Sequence, residues 1–215
     1  MVIECHCTIR RRNAVLVPQW EAVDTFQSIL PRYSGCDWNS IRYWDTADRN
    51  ATLRDAVKGA KQWVQNLYDG VMTNYFVYGN PGSGKTLIKY LMRVYCPLPS
   101  IWVNVPQLTQ DIAHFWSTRD LELTEWMDLM ATVPVLFLDD IGKAGLEKTE
   151  GMQSHLYTIV NARWNALLPT VASSNLTEPE IRSRLGAIAS RLMERDPGVK
   201  TVFPVAVGDY REKGA

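Results

Sequence analysis

Charge of one sign is what this sequence most conspicuously lacks: Lys and Arg total 23, and Asp and Glu also total 23. No global field therefore draws the chain to nucleic acid or to an anionic membrane, and any DNA contact must come from local patches or from several copies acting together. No apolar run is long enough to span a bilayer. The start, Met1-Val2-Ile3-Glu4-Cys5-His6-Cys7, has neither a charged opening nor an apolar stretch behind it, which argues against a secretory signal. Cysteine is scarce, four residues at 5, 7, 36 and 96, and their spacing makes no disulfide framework, so a reducing cytoplasm is the expected compartment. Cys5-His6-Cys7 invites a zinc reading, but a structural site takes four ligands, commonly in paired spacing, and Cys36 is the only nearby addition. A packed or unstructured terminus is the plainer expectation. His114 and His155 fall in helical stretches and read as packing or surface residues. Repeats and low-complexity tracts are also missing.

What the chain does have is enough apolar residue, 46%, to bury a core, in a length of 215 that suits one domain with a short extension. We divide it into an extension over residues 1–28, a candidate partner-binding segment carrying Arg10-Arg11-Arg12, and a folded domain over 29–215. The eight tryptophans read as core or groove-packing residues, since Trp buries a large area behind one polar handle. A short helix is predicted from Trp20 to Ile29, a loop from Leu30 to Asn50, and a helix over 52–67 from the spacing of Leu53, Ala56, Val57, Ala60, Trp63, Val64 and Leu67. Strands are then predicted at 74–78, 101–105, 133–139, 170–174 and 200–205. They alternate with helices at 84–94, 107–130, 150–166 and 178–195. Apolar strands alternating with helices predict an α/β fold, a parallel sheet sandwiched by helices, with ligands at the carboxyl ends of the strands.

One of those ends carries Gly79-Asn80-Pro81-Gly82-Ser83-Gly84-Lys85-Thr86, between an apolar strand and a helix, the context that makes this spacing a phosphate-binding P-loop. Its glycines let successive N–H groups face an anion, and the helix N-terminus adds partial positive charge. Lys85 is expected to reach the β- and γ-phosphates of ATP and Thr86 to hold Mg²⁺. A P-loop needs an acidic partner at a neighbouring strand end, and Val133-Pro134-Val135-Leu136-Phe137-Leu138-Asp139-Asp140 supplies two carboxylates. Asp139 is assigned to Mg²⁺ with Thr86, and Asp140 to polarising the attacking water as general base. Asn175, after strand 170–174, is an amide placed to orient water against the γ-phosphate without adding charge.

These motifs and a downstream Ser190-Arg191-Leu192 resemble AAA+ ATPases, and the wording is most similar to the DnaC/DnaI helicase loaders and the related IstB transposition ATPases. The resemblance runs from Leu30-Pro31-Arg32-Tyr33 through Leu138-Asp139-Asp140-Ile141-Gly142, residues 156–164, Leu168-Pro169-Thr170, Ser174-Asn175-Leu176 and Arg184-Leu185-Gly186 to Asp209-Tyr210-Arg211. It implies a P-loop sheet without a separate C-terminal lid domain, since about ten residues follow the last predicted strand. By resemblance, Gly79 to Thr86 is Walker A, Asp139-Asp140 Walker B, Asn175 the first sensor, Arg191 a finger toward a neighbouring copy's γ-phosphate, and Arg211 a terminal nucleotide contact. Asp stands at 140 where many relatives carry Glu, which implies slow hydrolysis, and an arginine common beside Gly186 is missing.

The function implied is an ATP-dependent helicase loader in DNA replication that binds ATP between subunits of a homo-oligomer, grips single-stranded DNA and delivers a replicative helicase. The alternatives are an IstB-like ATPase that binds duplex DNA and recruits a transposase, and a nucleotide-gated binding module with negligible hydrolysis. Arg10-Arg11-Arg12, Arg119, Lys143, Lys148 and Arg163 are candidate DNA contacts, though each alone reads as a solvated charge. The segment Gln107 to Met130 stands where the resembled loaders carry a single-strand-binding insertion, and its apolar spacing fits a packed helix pair equally well.

Overall fold

A computed structural model describes residues 24–43, 46–110, 122–142, 151–194 and 198–209. Five strands, β1 (Tyr75–Gly79), β2 (Ser100–Asn104), β3 (Val135–Asp139), β4 (Thr170–Ser174) and β5 (Val202–Val205), lie in the order β2-β3-β4-β1-β5. All pairings are parallel, with Phe76 opposite Ala172, Leu138 opposite Ala172, and Phe76 opposite Val202. The expected parallel sheet is therefore present, and every strand's carboxyl end lies on one rim, which is where βα connections converge.

The pleat divides the strand residues between two cores, because successive side chains point to opposite faces. Tyr75, Val77, Trp102, Val135, Phe137, Val171 and Phe203 face α2 (Ala47–Tyr68) and α3 (Lys85–Val94). Phe76, Ile101, Val103, Leu136, Leu138 and Ala172 face the opposite layer. That layer contains α5 (Glu122–Thr132), α6 (Met152–Asn165), α7 (Glu178–Leu185) and α8 (Ala187–Leu192). A further helix, α4, begins after β2 and is described over 105–110. Of the described tryptophans, Trp63 and Trp102 are core, Trp38 stacks on Tyr95, and Trp164 is 42% exposed.

The predicted loop over 30–50 is more ordered than expected. It holds α1 (Leu30–Tyr33), with Pro31 in the first turn where its missing N–H costs nothing. A 3₁₀ turn over Trp38–Ser40 follows, its N-cap Asp37 accepting from the amides of Asn39 and Ser40. α2 starts at Ala47, earlier than its apolar period suggests, because its first residues are exposed and carry no apolar signal. The helix predicted from Trp20 to Ile29 is instead a 3₁₀ turn over Thr25–Ser28 in its described part.

That turn is stitched to β2. Asp24 Oδ1 accepts from the Trp102 amide at 2.9 Å, Thr25 Oγ1 donates to the Trp102 carbonyl at 3.0 Å, and the Asn104 amide donates to Thr25 Oγ1 at 3.1 Å. β2 is an edge of the sheet, so these side chains take up backbone groups that would otherwise face outward. Arg93 on α3 clamps Asp24, its Nη1 2.6 Å from Oδ1, and its guanidinium lies over Phe26.

Candidate nucleotide site

The β1–α3 loop turns on glycines whose places no side chain can take. At Gly79, with φ of 143°, a Cβ would come within 1.9 Å of the Val205 carbonyl oxygen. At Gly82, with φ of 71°, it would meet the Asp209 carboxylate at 1.8 Å. L-residues avoid both conformations, so loop shape and close approach select glycine twice over. Lys85, first residue of α3, folds back into this loop. Its Nζ donates to the carbonyls of Gly79 at 2.8 Å and Asn80 at 2.7 Å and to Ser83 Oγ at 3.2 Å. An ammonium with three donors is thereby held at the mouth of the loop, beside the helix N-terminus that favours anions.

The carboxyl ends of β3 and β4 supply the acidic and amide groups. Asp139, last residue of β3, is 8% exposed, and its Oδ1 accepts from Lys89 Nζ at 2.5 Å and from Ser173 Oγ at 2.7 Å. Burial alone would raise this carboxyl's pKa. The Lys89 charge and hydrogen bond, the Ser173 hydroxyl and the more distant Lys85 charge outweigh burial and hold it below the usual carboxylate value. Asp140 follows with φ of 61°, in the left-handed region that aspartate tolerates better than most residues, and its amide donates to Ser173 Oγ at 3.2 Å. Its Oδ1 accepts a hydrogen bond from Asn175 Nδ2. The structure thus brings Lys85, Asp139, Asp140 and Asn175 to the same rim of the sheet, although β4 separates the P-loop strand from the Asp139 strand.

Mg²⁺ fits this donor set. It takes hard oxygen ligands, and the residues assigned to it offer a hydroxyl from Thr86 and a carboxylate from Asp139 that its neighbours keep ionised. Among the described residues no His/Cys/Asp/Glu group of three is arranged as a metal cluster, so the cation would rely on few protein ligands together with phosphate oxygens.

Arg191 sits elsewhere. Its backbone carbonyl accepts from Asn74 Nδ2 at 3.0 Å, immediately before β1 begins, whereas the P-loop leaves that strand's other end. Its guanidinium donates to Asn161 Oδ1 at 2.8 Å, Tyr157 Oη at 3.1 Å and the Ala187 carbonyl at 3.2 Å, and lies over the rings of Tyr157 and Trp164. A strand of five residues is about 16 Å long, so Arg191 is out of reach of its own chain's P-loop.

Arg163 requires a correction. A candidate DNA contact that alone reads as a solvated charge, it is fully buried. Its guanidinium donates to the carbonyls of Met130, Val133, Pro134 and Pro169 and to Thr170 Oγ1, tying α6 to the starts of β3 and β4. Burial pulls its pKa down to about 9, which leaves it charged at neutral pH. The remaining candidate DNA contacts, Arg10-Arg11-Arg12, Arg119, Lys143 and Lys148, lie outside the described residues, as do Cys5-His6-Cys7, His114 and Arg211.

Sequence reasoning passed over Lys89 and Ser173. Lys89 had a signal: it stands one helical turn after Lys85, amid Leu87, Ile88, Tyr90, Leu91 and Met92, where a surface lysine has no place. Ser173 had none, since a strand serine is unremarkable until the strands are assembled.

Comparison with known proteins agrees with this geometry. A curated relative, the replicative helicase loader DnaI of Bacillus subtilis (strain 168), is 32% identical over 135 residues, which cover 56% of this chain. The match spans only 42% of that relative's length. Among solved structures, a crystal structure of the DnaC helicase loader superposes with a TM-score of 0.65 at 18% identity, covering 81% of this chain and 98% of that one. A crystal structure of DnaI gives a TM-score of 0.63 at 20% identity, covering 89% and 98%. At such identities these superpositions speak for the fold. The family model described as "ATPase family associated with various cellular activities (AAA)" matches residues 75–192, from the first residue of β1 to the last of α8 and more than half of the chain. The chain belongs to the AAA family of ATPases.

Proposed function

We propose that this protein is a helicase loader that binds MgATP at Gly79–Thr86 and hydrolyses it slowly. The observation that carries the nucleotide half is the meeting of the Lys85 loop, the ionised Asp139 and the Asp140–Asn175 pair at one rim of a parallel sheet. The likeness to a replicative helicase loader supports the biological half. Lys85 would draw the phosphates in, Thr86 and Asp139 would hold the cation, and Arg211 would contact the nucleotide. Asp140 takes the proton of the attacking water, and Asn175, already hydrogen-bonded to it, orients that water. Bound Mg²⁺ would supply charge neutralisation at the phosphates.

Arg191 completes the site of a neighbouring copy, because its place near the amino end of β1 removes it from its own. Active protein is therefore a homo-oligomer formed with ATP, gripping single-stranded DNA and delivering a replicative helicase, with residues 1–28 contributing to partner binding.

The test is capture of the host's purified replicative helicase on the full chain with a slowly hydrolysed ATP analogue, alongside salt-titrated binding to single- and double-stranded DNA. Stoichiometric helicase capture with single-strand preference is the expected result. Duplex preference with transposase capture would instead identify an IstB-like ATPase. Release of no phosphate under any condition would leave a nucleotide-gated binding module.

A further inference from the structure

Four residues into the helix that follows the P-loop, Lys89 is fully buried, an expensive place for an ammonium unless it is paired and hydrogen-bonded. Its Nζ is held on three sides: by Asp139 Oδ1 at 2.5 Å, by the Leu138 carbonyl at 3.0 Å, and by the ring of Trp102, whose centroid is 4.6 Å away. With Ser173 donating to the same Oδ1, that oxygen has two donors, and the Asp139 carboxylate is fixed in orientation before any ligand arrives. A bound cation would be left the other oxygen, Oδ2.

Building on the nucleotide reading above, we propose that Lys89 is a positioning residue and an internal counter-cation for Asp139, which lowers the dependence of ATP binding on Mg²⁺. The charges at the rim explain how. Lys85 and Lys89 stand against Asp139, Asp140 and the Asp209 carboxylate beside Gly82, and without Lys89 the same group carries one more negative charge facing a triphosphate. In a partly buried site such a charge is weakly screened. A negative rim repels metal-free ATP more than MgATP and attracts the free cation. The less negative rim that keeps Lys89 admits ATP with less help from Mg²⁺. A lysine that only filled the core would leave this linkage untouched.

The experiment measures the affinity of the full chain for a fluorescent ATP analogue in saturating Mg²⁺ and in EDTA, for wild type, Lys89→Met and Lys89→Gln. Met keeps the volume without charge or donor, while Gln keeps a donor without charge. The ratio of the EDTA to the Mg²⁺ dissociation constant is expected to rise about tenfold or more in both variants. An unchanged ratio in either folded variant overturns the proposal while leaving the nucleotide site standing. Should Lys89→Met not fold, by circular dichroism, Lys89→Gln decides. Should neither fold, wild type decides: an affinity loss in EDTA beyond about a hundredfold, roughly the weight of one uncompensated charge near 6 Å, overturns it. A wild type that binds no analogue in Mg²⁺ removes both the nucleotide reading and this inference.

Discussion

Several side chains in this protein are committed to internal oxygen atoms, and the cost of removing them follows. Lys85→Ala takes away the ammonium held by Gly79, Asn80 and Ser83, and loss of ATP-analogue binding is expected in a fluorescence titration while the fold persists. Arg163→Ala is the opposite case. It strands several buried carbonyls and opens a cavity, so a loss of about 3–5 kcal/mol in urea unfolding is expected. DNA binding by the folded fraction is expected to be unchanged. At Cys96 burial raises the thiol to about 11, against smaller lowering by a backbone hydrogen bond with Leu98 and by the Arg93 charge. The folded state therefore keeps this proton above the pH at which an unfolded cysteine releases it, and this residue's contribution to stability falls as pH rises from about 9 toward 11. Mass-spectrometric mapping of iodoacetamide labelling is expected to find Cys96 unreactive at pH 8, with modification growing only as pH approaches about 11.

At the scale of elements, tight crossings govern. Gly59 in the middle of α2 lies against Phe203 on β5, and a Cβ there would meet the ring at 2.1 Å. Alanine normally favours a helix by about 1 kcal/mol over glycine. Here Phe203 is 2% exposed and stacked on Tyr75, so overpacking outweighs propensity. Gly59→Ala is expected to destabilise by about 1–2 kcal/mol in chemical denaturation, reversing the usual sign. A gain in stability would show that α2 shifts freely on the sheet. The same contrast explains what was legible beforehand. Strands such as Val135–Asp139 announce themselves as short apolar runs ending in polar residues, and the Gly79–Thr86 spacing fixes its own strand–loop–helix context. The Thr25–Ser28 turn did not, because Asp24 and Thr25 gain their meaning from the β2 edge about 78 residues away. Arg163 misled for a related reason: a guanidinium is read as solvated unless one knows that loop carbonyls converge on it.

For the whole molecule, the decisive feature is the separation of Arg191 from Lys85 along β1. On the proposed reading, Lys85→Ala lacks a working pocket but retains a finger, and Arg191→Ala the reverse. Each alone is expected to show near-zero ATPase activity. Mixing the two should restore a measurable fraction, since some junctions then join an intact pocket to an intact finger. Mixtures as inactive as their components would place the arginine's role within one chain or outside catalysis.

If Arg191 does serve a neighbouring copy, as proposed, that placement also makes the molecule directional. Each copy would then offer a socket at one end of the sheet and a plug near the other, so an open row would always finish with one unfilled socket, however many copies it contained. Only closure into a circle fills the last one, and a terminal socket that never fires would mark one end of the row permanently as different from the other.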